Sequence, residues 1–340
     1  METSSSRAGG KSWSIPDGIG LAKGDALNLN GRSLGLVESL LARAEERKVA
    51  AHPIERGGRF LDCGIKARGG LRTGLELARV CLADLAEVTL VPGDVAGRSC
   101  PLVQVVTDHP LEACLASQYA GWRLHEGDFF AMGSGPMRAA WGHEAIFEKI
   151  GHRETVSAVV GVLEGRKTPT PAVVAKIAEN CGVPPSAVTL LVAPTASLAG
   201  GIQVVARSVE TTLHKLSELG FDLSRVVAGH GTAPLPPVAP DDLAAIGRTN
   251  DAILYGARVT LFVTGDDASL KAIGPRVPST SSHDHGEPFA AIFARYNNDF
   301  YAVDSHLFSP AEVVFQNVET GSVHAFGQMA PDVLVRSFFS

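Results

Sequence analysis

The clearest pattern in the sequence covers residues 188 to 219 and reads VTLLVAPTASLAGGIQVVARSVETTLHKLSEL. Its first five residues form an apolar run of strand length, residues 194–201 supply a turn of small residues, and apolar side chains then recur at helical spacing through Leu219. Residues 129–141 repeat this plan, with the apolar run Phe129 to Met132, a Gly-Ser-Gly-Pro turn and a helix through Trp141. Because such units alternate along the chain, we expect an α/β fold, with a mixed α+β fold as the open alternative.

The length of 340 residues predicts two domains, since one domain usually has about 150 residues. We expect a flexible amino-terminal tail at 1–26, a first α/β domain at 27–188 and a second at 189–340 that carries the Arg207/Glu210 helix. Discontinuous domains remain open. A substrate cleft is expected between the two domains. The tail is rich in Ser and Gly and has no apolar core, so it does not read as a secretory signal.

Composition excludes several classes of protein. Hydrophobic residues make up 45% and charged residues 19%, which excludes a disordered chain and favours an oligomer interface or a broad apolar cleft. The formal net charge of −6 leaves no large basic field, so no nucleic-acid partner is expected. The longest apolar runs are strand-length, so no membrane span is expected. Five scattered cysteines without a C-x-x-C pair are typical of reduced thiols in a cytoplasmic protein.

The helix predicted after residue 201 has three faces when it is drawn at 100° per residue. One face is apolar, and the opposite face, with Ser208, Thr212 and Lys215, is expected to meet solvent. A polar stripe between them is expected to line a cleft, and it consists of Gln203, Arg207, Glu210 and His214.

Arg207 and Glu210 are three residues apart and can touch. The Arg207 guanidinium would keep the Glu210 carboxylate ionised. Partial burial would raise the pKa of the carboxylate towards a value that suits a general base. The alternative is an ordinary helix ion pair.

Three further segments are candidates for chemistry. The turn Gly133-Ser134-Gly135-Pro136 could open a helix, whose free backbone N–H groups would bind an anion. The alternative is a tight turn that binds nothing. Asn250 and Asp251 form a cap or turn pair or contact a ligand. His283 and His285 are two residues apart, which raises a metal hypothesis with nearby aspartates, although solvent-facing or substrate-contacting histidines are the simpler reading.

Six motifs in order carry a resemblance to a known family. They are Leu-Asn-Leu-Asn at 27–30, Met-Gly-Ser-Gly-Pro at 132–136, Val-Ala-Pro-Thr-Ala-Ser at 192–197, Ala-Arg-Ser-Val-Glu-Thr at 206–211, Asn-Asp-Ala-Ile at 250–253 and Pro-Ser-Thr-Ser-Ser at 278–282. Together they closely resemble methenyltetrahydromethanopterin cyclohydrolase, from about Leu27 to near the carboxyl terminus. Six ordered motifs are far more specific than any one of them.

The resemblance implies a reaction, a cofactor requirement and an assembly. Water opens the cationic methenyl bridge of a tetrahydropterin to the 5-formyl compound, in methanogenesis or bacterial formaldehyde oxidation. The family uses no metal and no redox cofactor, so the pterin is the substrate rather than a cofactor. It works in a cleft between two α/β domains and is typically a cytoplasmic homotrimer.

The resemblance also assigns residues. The family's Arg-x-x-Glu pair falls on Arg207 and Glu210, with Glu210 as the general base and acid and Arg207 as the group that holds it. The expected substrate-binding residues are Gly133, Ser134 and Gly135 through backbone groups, Gln203 next to the water, and Asn250, Asp251, Ser281 and Ser282.

The chain departs from the family pattern at two positions. His283 stands where lysine is common, and His285 stands where tyrosine is common. This departure bears on the coenzyme's tail rather than on the reaction. Two other hypotheses remain open at this point: a metal-dependent amidohydrolase that uses His283 and His285, and a non-catalytic pterin-binding protein.

Overall fold

The computed structural model describes residues 27–300 and 302–340. The predicted tail at 1–26 lies outside these residues. The α-helices are α1 (Leu29–Leu41), α2 (Ala44–Arg47), α3 (Leu71–Cys81), α4 (Met137–Trp141), α5 (Ile146–Ile150), α6 (Pro171–Cys181), α7 (Leu198–Val205), α8 (Ser208–Glu218), α9 (Asp242–Leu254), α10 (Asp267–Ile273), α11 (Phe289–Arg295) and α12 (Pro331–Phe339). A π-helix spans Leu111–Gln118.

The strands are β1 (Ala50–Pro53), β2 (Arg59–Asp62), β3 (Glu87–Val91), β4 (Asp94–Val95), β5 (Arg98–Ser99), β6 (Leu102–Thr107), β7 (Trp122–Glu126), β8 (Phe129–Ser134), β9 (Val159–Glu164), β10 (Val188–Ala193), β11 (Val226–Pro234), β12 (Arg258–Val263), β13 (Glu312–Asn317) and β14 (Val323–Gly327). Two six-stranded sheets contain all of them except the small β4–β5 pair.

The first sheet has the order β1-β2-β10-β9-β8-β7, and β2, β10 and β9 are parallel. Every residue of β10 is buried, as expected for a parallel strand that is covered on both faces. Helix α6 packs on one face through Val173 and Ile177, and α1 and α3 pack on the other.

The second sheet has the order β14-β13-β12-β11-β6-β3 and is mostly antiparallel. Burial alternates along β6, β12 and β13, so only one face of this sheet is in the core. Helix α8 packs on that face against β11 and β12. Helix α7 packs against α3 and α9, and a Cβ at Gly74 of α3 would lie 2.9 Å from Ile202. Helix α7 therefore packs among helices, and α8 covers the core face of the second sheet.

The α/β class is confirmed. Sheet membership does not change at residue 188: β10 begins there and pairs in the first sheet with β2 and β9, while β3 and β6 pair into the second sheet with later strands. The units 27–188 and 189–340, and a cleft between them, stay a prediction. If there are two units, the chain crosses between them more than once.

The prediction that one face of α8 meets solvent is wrong. Ser208 and Thr212 are 0% exposed, and Lys215 is 1% exposed. Gly231 of β11 leaves room for Ser208, since a Cβ there would lie 2.4 Å from Ser208 Oγ. The ammonium of Lys215 donates to the His306 carbonyl at 2.6 Å. The packing of α8 against the sheet and the His306 loop therefore buries the face that carries Ser208, Thr212 and Lys215.

Candidate active site

Glu210 lies in the first turn of α8 and is 4% exposed. Its carboxylate has no hydrogen bond and no cationic nitrogen within 4.0 Å among the described residues. Burial raises the pKa of Glu210 to about 7, and the positive charges of Arg207 and Arg138 act against this rise. A carboxylate with a pKa near neutrality can both accept and return a proton.

Arg207 lies between α7 and α8 and takes the N-cap position of α8. It donates from Nη1 to the Gln118 carbonyl at 2.6 Å and from Nη2 to Ser134 Oγ at 3.2 Å. The ion pair that the three-residue spacing permits is therefore not formed with Glu210. The guanidinium acts on Glu210 through its charge and is held in place by the π-helix and β8.

Ser134 and Gln203 are brought together beside Arg207 in a buried polar group. Cys81 Sγ lies 3.2 Å from Ser134 Oγ and accepts from Gln203 Nε2 at 3.6 Å. Ser134 ends β8, and Gly135 follows it with a φ of +88°, a conformation that L side chains rarely adopt. The Gly135 N–H donates to the Ser117 carbonyl at 2.9 Å. A substrate contact through the Gly133 and Gly135 backbone stays a prediction.

The other proposed substrate contacts make bonds elsewhere. Asp251 accepts from the Phe289 backbone N–H at 2.8 Å, and Asn250 donates to the Ile246 carbonyl within α9. Burial raises the pKa of Asp251 to about 7. The Asp251 bond ties α9 to α11, and neither bond involves Glu210.

Ser281 and Ser282 belong to a short 3₁₀ turn and its cap. Ser281 Oγ accepts from Lys215 Nζ at 3.2 Å, so this loop is joined to α8 five residues after Glu210. Ser282 Oγ donates to Asp304 at 2.7 Å. Both serines therefore have structural partners, and their contact with a substrate stays a prediction.

His283 and His285 have separate surroundings. His283 Nδ1 lies 3.1 Å from Asp304, whereas the His285 ring packs against Tyr255 with centroids 5.0 Å apart. No group of three or more His, Cys, Asp or Glu residues in the described ranges is arranged to hold a metal ion. The metal hypothesis on these two histidines thus has no third ligand among residues 27–300 and 302–340.

Sequence reasoning missed three participants: Gln118, Tyr119 and Arg138. Burial, then the charge of Glu210, raises the pKa of Tyr119 to about 12. Arg138 is 0% exposed. A π-helix has no sequence signature that separates it from an α-helix, so nothing in residues 111–119 indicates that Gln118 turns its carbonyl towards Arg207. A charged residue in a short helix is usually solvated, which hides Arg138 in the same way.

A cavity outside this group has a volume of about 750 Å³ and lies between α1, β3 and the end of β6. Arg32, Arg79 and His109 are among its lining residues, and no side chain of the Glu210 group lines it. The chemistry of the buried carboxylate, rather than cavity size, therefore marks the candidate site.

The fold and the site define an α/β protein with a buried carboxylate whose pKa two arginines lower against the effect of burial. The family model described as "Cyclohydrolase (MCH)" matches residues 28–338. The protein called methenyltetrahydromethanopterin cyclohydrolase of Methylobacterium sp. (strain 4-46) is 47% identical over 92% of this chain and 97% of its own length. Its namesake of Rhodopirellula baltica is 50% identical over 83% and 86%. That of Methanococcoides burtonii is 38% identical over 92% and 98%.

The chain belongs to the methenyltetrahydromethanopterin cyclohydrolase family. The resemblance carried by the six motifs is confirmed, and so is the prediction of an enzyme of the cyclohydrolase class. Among the helices of the described residues, none combines the length and apolar character needed to cross a bilayer.

The raised pKa of Glu210 predicts a pH-dependent stability. Between the usual carboxyl value of 4.5 and about 7, folding retains a proton that the unfolded chain releases, so stability falls as pH rises through this window. The loss amounts to about 3 kcal/mol at most. We expect the free energy of unfolding of Glu210→Gln to rise relative to that of wild type between pH 4.5 and 7, and the difference to persist above pH 7. Denaturant titrations at each pH measure this difference.

Glu179→Gln is the control, because Glu179 is exposed on α6. Its stability difference from wild type should stay flat over the same pH range. If the free energies of unfolding of wild type and Glu210→Gln changed with pH in parallel, that result would contradict a raised pKa for Glu210.

Proposed function

We propose that the chain hydrolyses the cationic methenyl bridge of 5,10-methenyltetrahydromethanopterin to the 5-formyl compound without a metal, with Glu210 as general base and then general acid. The single observation that carries this proposal is the buried Glu210 carboxylate, whose pKa is raised to about 7 beside Arg207. The names of the relatives, methenyltetrahydromethanopterin cyclohydrolase, support the substrate.

The amidinium carbon of such a substrate is already electrophilic, so the protein has to position water and move protons. Water adds to this carbon through its oxygen, and Glu210 takes one of its protons, which leaves a neutral hydroxyl adduct. Protonated Glu210 then donates to the departing nitrogen as the carbon–nitrogen bond breaks. The hydroxyl proton leaves to solvent and the carbon becomes a formyl group, so one proton is released per turnover.

Charge supports this cycle. Ionised Glu210 attracts the cationic substrate, and protonated Glu210 faces the neutral hydroxyl adduct. Arg207 keeps the carboxylate ionised against the effect of burial. Ser134 and Gln203 are proposed to contact the substrate or the water, since they lie in the same buried group as Arg207. Contacts by Gly133, Gly135, Asn250, Asp251, Ser281 and Ser282 are proposed from the family resemblance.

The cellular setting is proposed on the resemblance as well. The chain would act in the cytoplasm as a homotrimer in one-carbon metabolism, either in formaldehyde oxidation or in methanogenesis. Relatives that bear the cyclohydrolase name occur in Methylobacterium and in Methanosarcina, which is compatible with either setting.

The test is the loss of methenyl absorbance with purified protein in the presence of a chelator. Loss of absorbance with wild type, and none with Glu210→Gln, supports the proposal. Activity that the chelator abolishes would favour a metal-dependent amidohydrolase, and binding without turnover would favour a pterin-binding protein. Either result would overturn the proposal.

The charge of the substrate predicts a difference between two pH profiles. The acid limb of kcat/KM reports the free enzyme and should have its midpoint near pH 7, the pKa of Glu210 in the free protein. The bound cation stabilises the ionised carboxylate, so the acid limb of kcat should lie at lower pH. Steady-state rates from pH 5 to 8, corrected for uncatalysed hydrolysis, measure both. A kcat limb at higher pH than the kcat/KM limb would contradict this reading.

A further inference from the structure

Arg138 is a fully buried arginine of α4 that the reaction scheme leaves unused. Its Nη2 lies 2.7 Å from Glu144 Oε2, and its Nη1 donates to the Leu115 carbonyl at 2.8 Å. The Glu144 side chain is 13% exposed. A buried guanidinium is costly unless it is paired, and loss of one partner leaves an uncompensated charge. The pair Arg138–Glu144 is therefore maintained against a desolvation cost.

Aromatic rings hold the Arg138 guanidinium from two sides. It lies 4.8 Å from the Tyr119 ring centroid and 5.3 Å from that of Phe147. The Tyr119 ring also stacks on His214, with centroids 4.7 Å apart and planes 18° apart. His214 follows Glu210 by four residues on α8, so the two side chains share one face of the helix. The rings thus join Arg138 to the helix face that carries Glu210.

Arg138 and Arg207 are anchored at neighbouring points. Arg138 Nη1 donates to the Ser117 carbonyl at 3.4 Å, and Arg207 Nη1 donates to the next carbonyl, that of Gln118, at 2.6 Å. Consecutive carbonyls at the end of one π-helix therefore fix both guanidinium groups. Both positive charges lower the pKa of Glu210 against the effect of burial.

The ionisable groups around Glu210 come from three segments of chain. Cys114 and Tyr119 belong to the π-helix and its cap, Arg138 belongs to α4, and Arg207 precedes α8. Around Arg138 the charged groups are Glu144 and Glu210, together with the Tyr119 hydroxyl. Glu144 is the one carboxylate that pairs directly with Arg138 in the described part of the chain.

We propose that Arg138 and Glu144 form a positioning pair for Glu210, in which Arg138 supplies a second positive charge beside the carboxylate and Glu144 offsets it so that Glu210 still accepts a proton from water. This inference rests on the proposed function for the role of Glu210. Without Glu144, the two arginines would hold the Glu210 carboxylate ionised and make it a weaker base. Without Arg138, burial would keep Glu210 protonated.

Gly121 makes the pair sterically possible. A Cβ at this position would lie 2.0 Å from Glu144 Oε1 and 2.5 Å from Tyr119 Cε1. Any larger residue therefore displaces the Glu144 carboxylate or the Tyr119 ring from Arg138. Gly121→Ala is expected to reproduce the effect of Glu144→Gln without removing a charged group.

The test measures the pKa of Glu210 in Glu144→Gln, Arg138→Met and Arg138→Lys, each with and without Glu210→Gln. The pH dependence of the stability difference within each pair gives this pKa without turnover. We expect Glu144→Gln to lower it by at least about half a pH unit, which is about threefold in the ionised fraction at pH 6. Arg138→Met should shift it in the opposite direction, and Arg138→Lys should restore it.

Glu148→Gln on α5 is the control, since Glu148 is exposed and four residues from Glu144. The acid limb of kcat/KM should move with the pKa in each variant. If Arg138→Met does not fold, Glu144→Gln and Arg138→Lys still decide the question. A folded Glu144→Gln protein with an unmoved Glu210 pKa overturns the inference. A wild type without turnover overturns the proposed function instead, because the stability measurement needs no substrate.

Discussion

Glu210→Gln is expected to lower kcat by about 100- to 10,000-fold, because the substitution removes the proton acceptor while it keeps the size of the side chain. The fold should be retained, since the Glu210 carboxylate has no hydrogen bond to lose among the described residues. Binding of the neutral formyl product should be unchanged. Steady-state rates and product titration measure these outcomes.

Glu179→Gln again serves as the matched control and should keep wild-type kcat, because this exposed carboxylate on α6 lies outside the site. A Glu210→Gln protein with a rate near that of wild type would show that another group activates the water. That result would also remove the basis of the scheme in which one carboxylate acts twice.

Arg207→Ala is expected to lower kcat/KM at pH 7 by at least about tenfold and to move its acid limb to higher pH. Loss of the guanidinium removes a positive charge that lowers the pKa of Glu210 and leaves the Gln118 carbonyl without its donor at 2.6 Å. Arg207→Lys keeps the charge and should restore much of the pH profile. The profiles of kcat/KM from pH 5 to 9 measure both effects.

Arg72→Gln is the control for this substitution, since the Arg72 side chain is 76% exposed on α3. An Arg207→Ala profile with an unshifted acid limb, at any activity, would show that Arg207 has only a structural role. A small loss of kcat/KM with an unshifted acid limb would show that Arg207 only stabilises the contact between the π-helix and β8.

Much of the local structure was predictable because it follows from periodicity. The apolar run at Val188 became β10, and the apolar run at Phe129 became β8. The pair Arg207 and Glu210 was found from its spacing and from the family motif. Local signals of this kind depend on a few neighbouring residues, so they are readable without knowledge of the fold.

The errors have one physical cause. The wheel drawn for α8 has a polar face, yet Ser208, Thr212 and Lys215 are buried, because segments that are far away in the sequence pack over this face. One of these segments supplies the His306 carbonyl that accepts from Lys215. The expected Arg207–Glu210 contact gave way to the Gln118 carbonyl for the same reason. A polar side chain takes the partner that the fold provides, and spacing along one helix cannot reveal that partner.

The α/β class, the strand that begins at Val188 and the family of the chain could be read from the sequence, whereas the single helix predicted through Leu219 is divided before Ser208 into α7 and α8. The tertiary structure was needed to show that Glu210 is buried without a hydrogen bond to any described residue, that two arginines act on its pKa, and that β3 and β6 join the second sheet. Periodicity is a property of adjacent residues. Desolvation and charge pairing depend on residues that are far apart in sequence, and these set the pKa on which the proposed chemistry depends.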